Sequence, residues 1–83
     1  MVYFDIESYI KDGDENYYSR VIVSDPIYEK AVNKMKACLN QNAQVDYFRV
    51  WLLAQTKNGR VFVLNSLYYK PDEFWRIAKE ITD

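Results

Sequence analysis

The sequence predicts a two-layer α+β domain of ββαββα order, an antiparallel sheet of two hairpins carrying two helices. Three observations predict it. Apolar and polar residues alternate along Val2 to Ile10, the period of a half-buried strand, and Val45 to Gln55 carries the run YFRVWLL, rich in strand-forming residues that put apolar side chains on both faces. Each of these two runs leads into a glycine turn, Asp12-Gly13 or Asn58-Gly59, and then into a second apolar run, as in a hairpin. Each hairpin is followed by a proline, Pro26 or Pro71, that opens a stretch with apolar residues at helical spacing.

In the first strand Val2, Phe4, Ile6 and Ile10 point one way, while Tyr3, Asp5, Glu7 and Tyr9 point the other. The loop Lys11 to Asn16 supplies Gly13, which tolerates the positive φ a turn needs, and Tyr17 to Val23 returns. Asp25-Pro26 starts a helix, because the Asp carboxylate accepts from unpaired backbone N–H groups and proline gives up a donor that had no partner. Its apolar stripe is Ile27, Ala31, Met35, Cys38 and Leu39, widened by Tyr28 and Val32. The helix is expected to run to about Leu39, and the polar segment Asn40 to Gln44 connects it to the second half.

Val45 to Gln55 is the strongest strand, and Asn58-Gly59 returns it through Arg60 to about Leu67. Lys70-Pro71 opens the second helix, with Asp72 and Glu73 in the first turn complementing the positive end of the dipole. Phe74, Ile77, Ala78 and Ile81 form its buried stripe, with Trp75 to one side. The two halves echo each other, Tyr3-Phe4-Asp5-Ile6 against Tyr47-Phe48-Arg49-Val50. Shared turn and cap chemistry creates such echoes without duplication.

Composition bounds the function. The chain has 83 residues, 49% of them hydrophobic, and a formal net charge of −1, so it is expected to form one globular domain over residues 1–83 with no overall pull toward phosphate backbones or anionic membranes. The single cysteine, Cys38, cannot form an intramolecular disulfide, and no basic leader or long apolar span is visible. A cytoplasmic, non-membrane protein is expected.

Histidine is absent, which removes the commonest general base and metal ligand. Asp12, Asp14 and Glu15 lack the ligand periodicity of a calcium loop, and Cys38 on an apolar stripe reads as a small hydrophobe. Both glycines belong to turns, which leaves no phosphate-cradling loop. No catalytic site, metal or cofactor is expected.

What remains is the second face of the sheet. A two-residue turn at Asn58-Gly59 sets Lys57 opposite Arg60, Ala54 opposite Val63, Leu52 opposite Asn65 and Val50 opposite Leu67. Phe48, Val50, Leu52, Ala54, Val61, Val63 and Leu67 then face the helices. Tyr47, Arg49, Trp51, Leu53, Phe62 and Leu64 face away, and Tyr3 and Tyr9 extend that face if the first strand joins the same sheet. Tyr, Trp and Arg dominate binding hot spots because they bury much area and keep a polar handle. This face is therefore the expected contact surface for another protein or for a second copy of the chain. The competing reading places a helix on each face, or lays Arg49 with Asp5 or Glu7 over the rings.

Sheet aromatics beside Arg49, Lys57 and Arg60 also imitate a single-strand nucleic-acid reader, although Asp5 and Glu7 share the face. Small cofactor-free domains include many inhibitors carried by phages and mobile elements, anti-CRISPR proteins among them. That analogy is one of size and class.

Overall fold

The first alternating run builds β1 (Val2–Asp12), paired antiparallel with β2 (Asn16–Asp25), in a computed structural model that describes residues 1–14 and 16–82. Then come α1 (Tyr28–Cys38), β3 (Tyr47–Gln55), β4 (Val61–Tyr69) and α2 (Pro71–Thr82). The fold is α+β of ββαββα order with one antiparallel sheet, β2-β1-β3-β4. The two hairpins therefore join through their first strands. Glu15, considered above as a calcium ligand, lies outside the described residues.

The β1–β3 register relates the halves by a local two-fold near the Ile6–Val50 pair. Tyr3 pairs with Leu53 as Tyr47 pairs with Tyr9, and Phe4 pairs with Leu52 as Phe48 pairs with Ser8. The echoed tetrapeptides thus hold equivalent places in the two central strands. Ile6, Phe48 and Val50 point to the helix side and bury against Ala31, Val32, Met35 and Leu39 after β2, and against Phe74 and Ala78 of α2. The Phe48 ring stacks on Phe74 at 4.1 Å between centroids, and Trp75 meets both rings edge-on.

The second helix begins as its sequence predicts. Pro71 is its first residue, and Glu73 reaches back so that its Oε1 accepts the Lys70 backbone N–H at 3.0 Å, the reciprocal half of a capping box. The first helix begins two residues later than expected. Ile27 takes an extended backbone and becomes the cap, so Pro26 lies outside the helix. Asp25 still serves the helix start, accepting the Ile27 N–H at 2.9 Å and pairing with Lys34 at 3.0 Å. These two contacts, the Ile27 N–H first, hold its carboxyl below the usual range.

At about 100° per residue the buried stripe of α1 centres between Ala31 and Val32. Ile27 and Cys38 fall on its flank, and both are exposed, contrary to the stripe drawn from sequence. Cys38 is therefore no core hydrophobe.

The Asn58-Gly59 hairpin also departs from expectation. The Thr56 N–H donates to the Arg60 carbonyl at 2.9 Å, which encloses a three-residue loop with Gly59 at φ +85°. A three-residue loop with glycine in the left-handed region is the next commonest hairpin connection, and Asn-Gly fits either. The extra residue slips the pairing by one, so Ala54 faces Phe62 and Leu53 faces Val63. A bulge at Leu64 absorbs the slip, and Leu52–Asn65 and Val50–Leu67 pair as expected. The consequence is a change of faces between turn and bulge. Val61 and Val63 turn away from the helices, where Val63 is 58% exposed rather than core, and Phe62 turns toward the helix side.

Candidate interaction surface

α1 lies over β1 and β2, and α2 packs on α1 and β3. Among the described residues no helix lies on the opposite face of the sheet. There the alternation of the central strands gathers Tyr3, Asp5, Glu7 and Tyr9 of β1 beside Leu53, Trp51, Arg49 and Tyr47 of β3. Six of the residues expected to bind a partner, Tyr3, Tyr9, Tyr47, Arg49, Trp51 and Leu53, therefore share one surface. Phe62 does not, because the turn puts it on the other side, and Leu64 is the extra residue of the bulge, 54% exposed.

The edge strands enlarge this surface with residues that sequence reasoning did not assign to it. Tyr68 pairs opposite Arg49 on β4, and Tyr17 pairs opposite Lys11 on β2. The expected register of β4 already implied Tyr68, but the strand was expected to end near Leu67. The run Leu67-Tyr68-Tyr69, rich in strand-forming aromatics, was the signal that it continues.

The polar groups of the face largely satisfy one another. The Trp51 indole N–H donates to Glu7 Oε1 at 2.6 Å, and Ser24 donates to Asp5. The Arg49 guanidinium lies over Trp51 at 3.6 Å and over Tyr68 at 4.5 Å from the ring centroids, and donates to Ser66 Oγ at 3.2 Å. The ladder of charge over rings thus exists, with no helix above it. Arg49 Nε is buried with no acceptor among the described residues.

Below this ladder four tyrosines form a cluster. Tyr9 stacks on Tyr47 at 4.7 Å with an interplanar angle of 11°, and Tyr17 and Tyr68 meet Tyr47 at 5.3 and 5.4 Å. Burial, followed by the nearby Glu7 carboxylate, pushes the Tyr9 phenol up to about 12. Burial and the Tyr68 phenol push Tyr47 up as well.

A folded-state pKa raised above the unfolded value stabilises the fold below the unfolded value, near pH 10 for tyrosine, and that stabilisation is lost as pH rises through the folded one. The thermal midpoint is therefore expected to fall between pH 10 and about 12, the window set by Tyr9. Tyr9→Phe should flatten that fall in a melting series, and an unchanged slope would remove Tyr9 as its source.

The two carboxylates of the face are each hydrogen-bonded within it, Glu7 by Trp51 and Asp5 by Ser24. Among the described residues no group of three or more Cys, Asp or Glu side chains is placed to hold a metal ion, and no helix is long and apolar enough to cross a membrane. A separate cleft of about 360 Å³ lies between the end of α1 and α2, lined by Lys36, Asn40, Trp75 and Lys79 among others. No family model, curated protein or solved structure significantly matches the chain.

Proposed function

We propose that the chain is a non-catalytic binding module for another protein, and that it acts by occupying its partner's surface, as small inhibitors of larger complexes do. The observation that carries this reading is the helix-free sheet face bearing Trp51 and the cluster of Tyr9, Tyr17, Tyr47 and Tyr68. A small domain gains nothing by leaving such rings in water, whereas desolvating them against a partner commonly contributes about 2 kcal/mol or more per anchor. The already formed Arg49 ladder lowers the ordering cost of binding. A cytoplasmic location fits an exposed Cys38 thiol that needs a reducing compartment.

Nucleic acid fits the face less well. Arg49 is held between rings instead of facing solvent phosphate, and Asp5 and Glu7 bring negative charge to the same surface.

The test uses the two exposed rings of the cluster. Tyr17 and Tyr68 are 47% and 58% exposed, so Tyr17→Ala and Tyr68→Ala should leave the thermal midpoint nearly unchanged. Each is expected to weaken a protein partner captured from the source cells by about thirtyfold, equivalent to about 2 kcal/mol. Lys30→Ala on exposed α1 should leave capture intact. Sub-micromolar binding to single-stranded oligonucleotides at physiological salt, lost in the same two variants, would replace the protein with nucleic acid as the ligand.

A further inference from the structure

The two edges of the sheet are built differently. β2 is covered on one side by α1, and Arg20 stands at its register shift with Ser8 and Tyr9, donating to the Gln44 carbonyl at 3.1 Å. A charged bulge is a common means of blunting an edge. β4 has no comparable charge. Its nine residues, Val61-Phe62-Val63-Leu64-Asn65-Ser66-Leu67-Tyr68-Tyr69, include no charged residue and no proline, and beyond the bulge at Leu64 the stretch Asn65 to Tyr69 pairs regularly with β3. Its large side chains are bare on both faces. Phe62 and Leu67 on the helix side are 47% and 51% exposed, and Val63 and Tyr68 on the other face are both 58% exposed.

We propose that β4 is a docking edge, at which an extended segment of a partner protein adds as a fifth strand. This rests on the protein-binding reading above and names its mode. Main-chain hydrogen bonds to the outer side of β4 supply the affinity, and alternate side chains supply the specificity. On the helix side an apolar hollow of about 100 Å³ between β3 and β4, floored by Phe4, Val50, Leu52 and Leu67, accepts one long apolar side chain.

Charge selects the occupant. The turn end of β4 carries Lys57 and Arg60, both exposed, and no ion pair among the described residues engages either. An uncharged strand with a basic end fits a partner segment that has an apolar middle and an aspartate or glutamate beside Arg60. A second copy fits less well. The antiparallel self-pairing that uses all nine residues turns about Asn65 and sets Arg60 against Lys70 of the other copy, which places like charges opposite each other.

A library of random nine-residue peptides, selected against the intact protein, tests the proposal. The expected consensus alternates apolar residues, carries an acidic residue at one end, and shifts the backbone amides of Val61 to Tyr69 in nuclear magnetic resonance spectra. Leu67→Lys, at an exposed position, should weaken the selected peptide about tenfold or more with the melting temperature nearly unchanged. Arg60→Glu should reverse the preference for an acidic end.

Peptides that shift only Tyr17, Tyr47 and Tyr68 would overturn the edge proposal while leaving the protein-binding reading intact. A concentration-dependent dimer abolished by Leu67→Lys would assign the edge to a second copy. A selection with no consensus, from a protein that stays monomeric, would overturn the proposal as well.

Discussion

Replacing Phe48 with alanine is expected to cost about 3–5 kcal/mol of folding free energy, the range for removing a fully buried phenylalanine. Phe48 has no exposed surface, stacks on Phe74 and takes the edge of Trp75, so its ring joins the sheet to α2. The aromatic pairing itself adds about 0.5–1.5 kcal/mol beyond area. A domain of this size is expected near the low end of the roughly 5–15 kcal/mol range of total stability, so the variant should keep at most a few kcal/mol and unfold at much lower urea. Urea titration followed by far-ultraviolet circular dichroism gives the answer. A loss below about 1 kcal/mol would mean that α2 is not anchored through this ring and that the core closes without it.

The elements that positioned Phe48 were legible because they rest on local chemistry. Alternation put Phe48 and Val50 on one side and Arg49 and Trp51 on the other, and the Pro71, Asp72 and Glu73 cap fixed where α2 begins. The order β2-β1-β3-β4 was not legible, since strand alternation says which face a residue takes and nothing about which strand lies next to it. Non-local choices also explain the corrections. Asn58-Gly59 serves a two-residue or a three-residue loop, and the choice between them decides whether Val63 or Phe62 faces the helices. The compensating bulge at Leu64 leaves no mark in the sequence, because the uncharged run Val61 to Leu64 is apolar on both faces and reads the same with or without one extra residue.

Cys38 failed for a related reason. Helical spacing defines a stripe, but the width of the stripe that the sheet covers depends on how α1 is set on β1 and β2. Ile27 was lost to the same flank when the helix began two residues late.

Trp51→Ala is expected to cost about 2–5 kcal/mol of stability, although the ring is only half-buried on a face without a helix. Its N–H bond to the Glu7 carboxylate accounts for roughly 1.5–3 kcal/mol, the range for hydrogen bonds to charged groups. The Arg49 guanidinium over the ring adds about 0.5–2 kcal/mol. Trp51→Phe keeps a face for Arg49 and loses the donor, so its stability should fall between those of wild type and Trp51→Ala. A double-mutant cycle of Trp51→Phe with Glu7→Ala removes donor and acceptor in turn, and a coupling of about 1.5–3 kcal/mol is expected. Additive behaviour would show that the indole N–H contributes nothing through Glu7. This cost also decides which ring reports on binding. Loss of a partner in Trp51→Ala mixes the missing contact with a collapsed Arg49 ladder, since the guanidinium loses its platform and Glu7 loses its donor. Tyr68 lies under the same guanidinium but is 58% exposed, and among the described residues it makes no hydrogen bond to a charged group, so its removal separates the surface that binds from the scaffold that holds it.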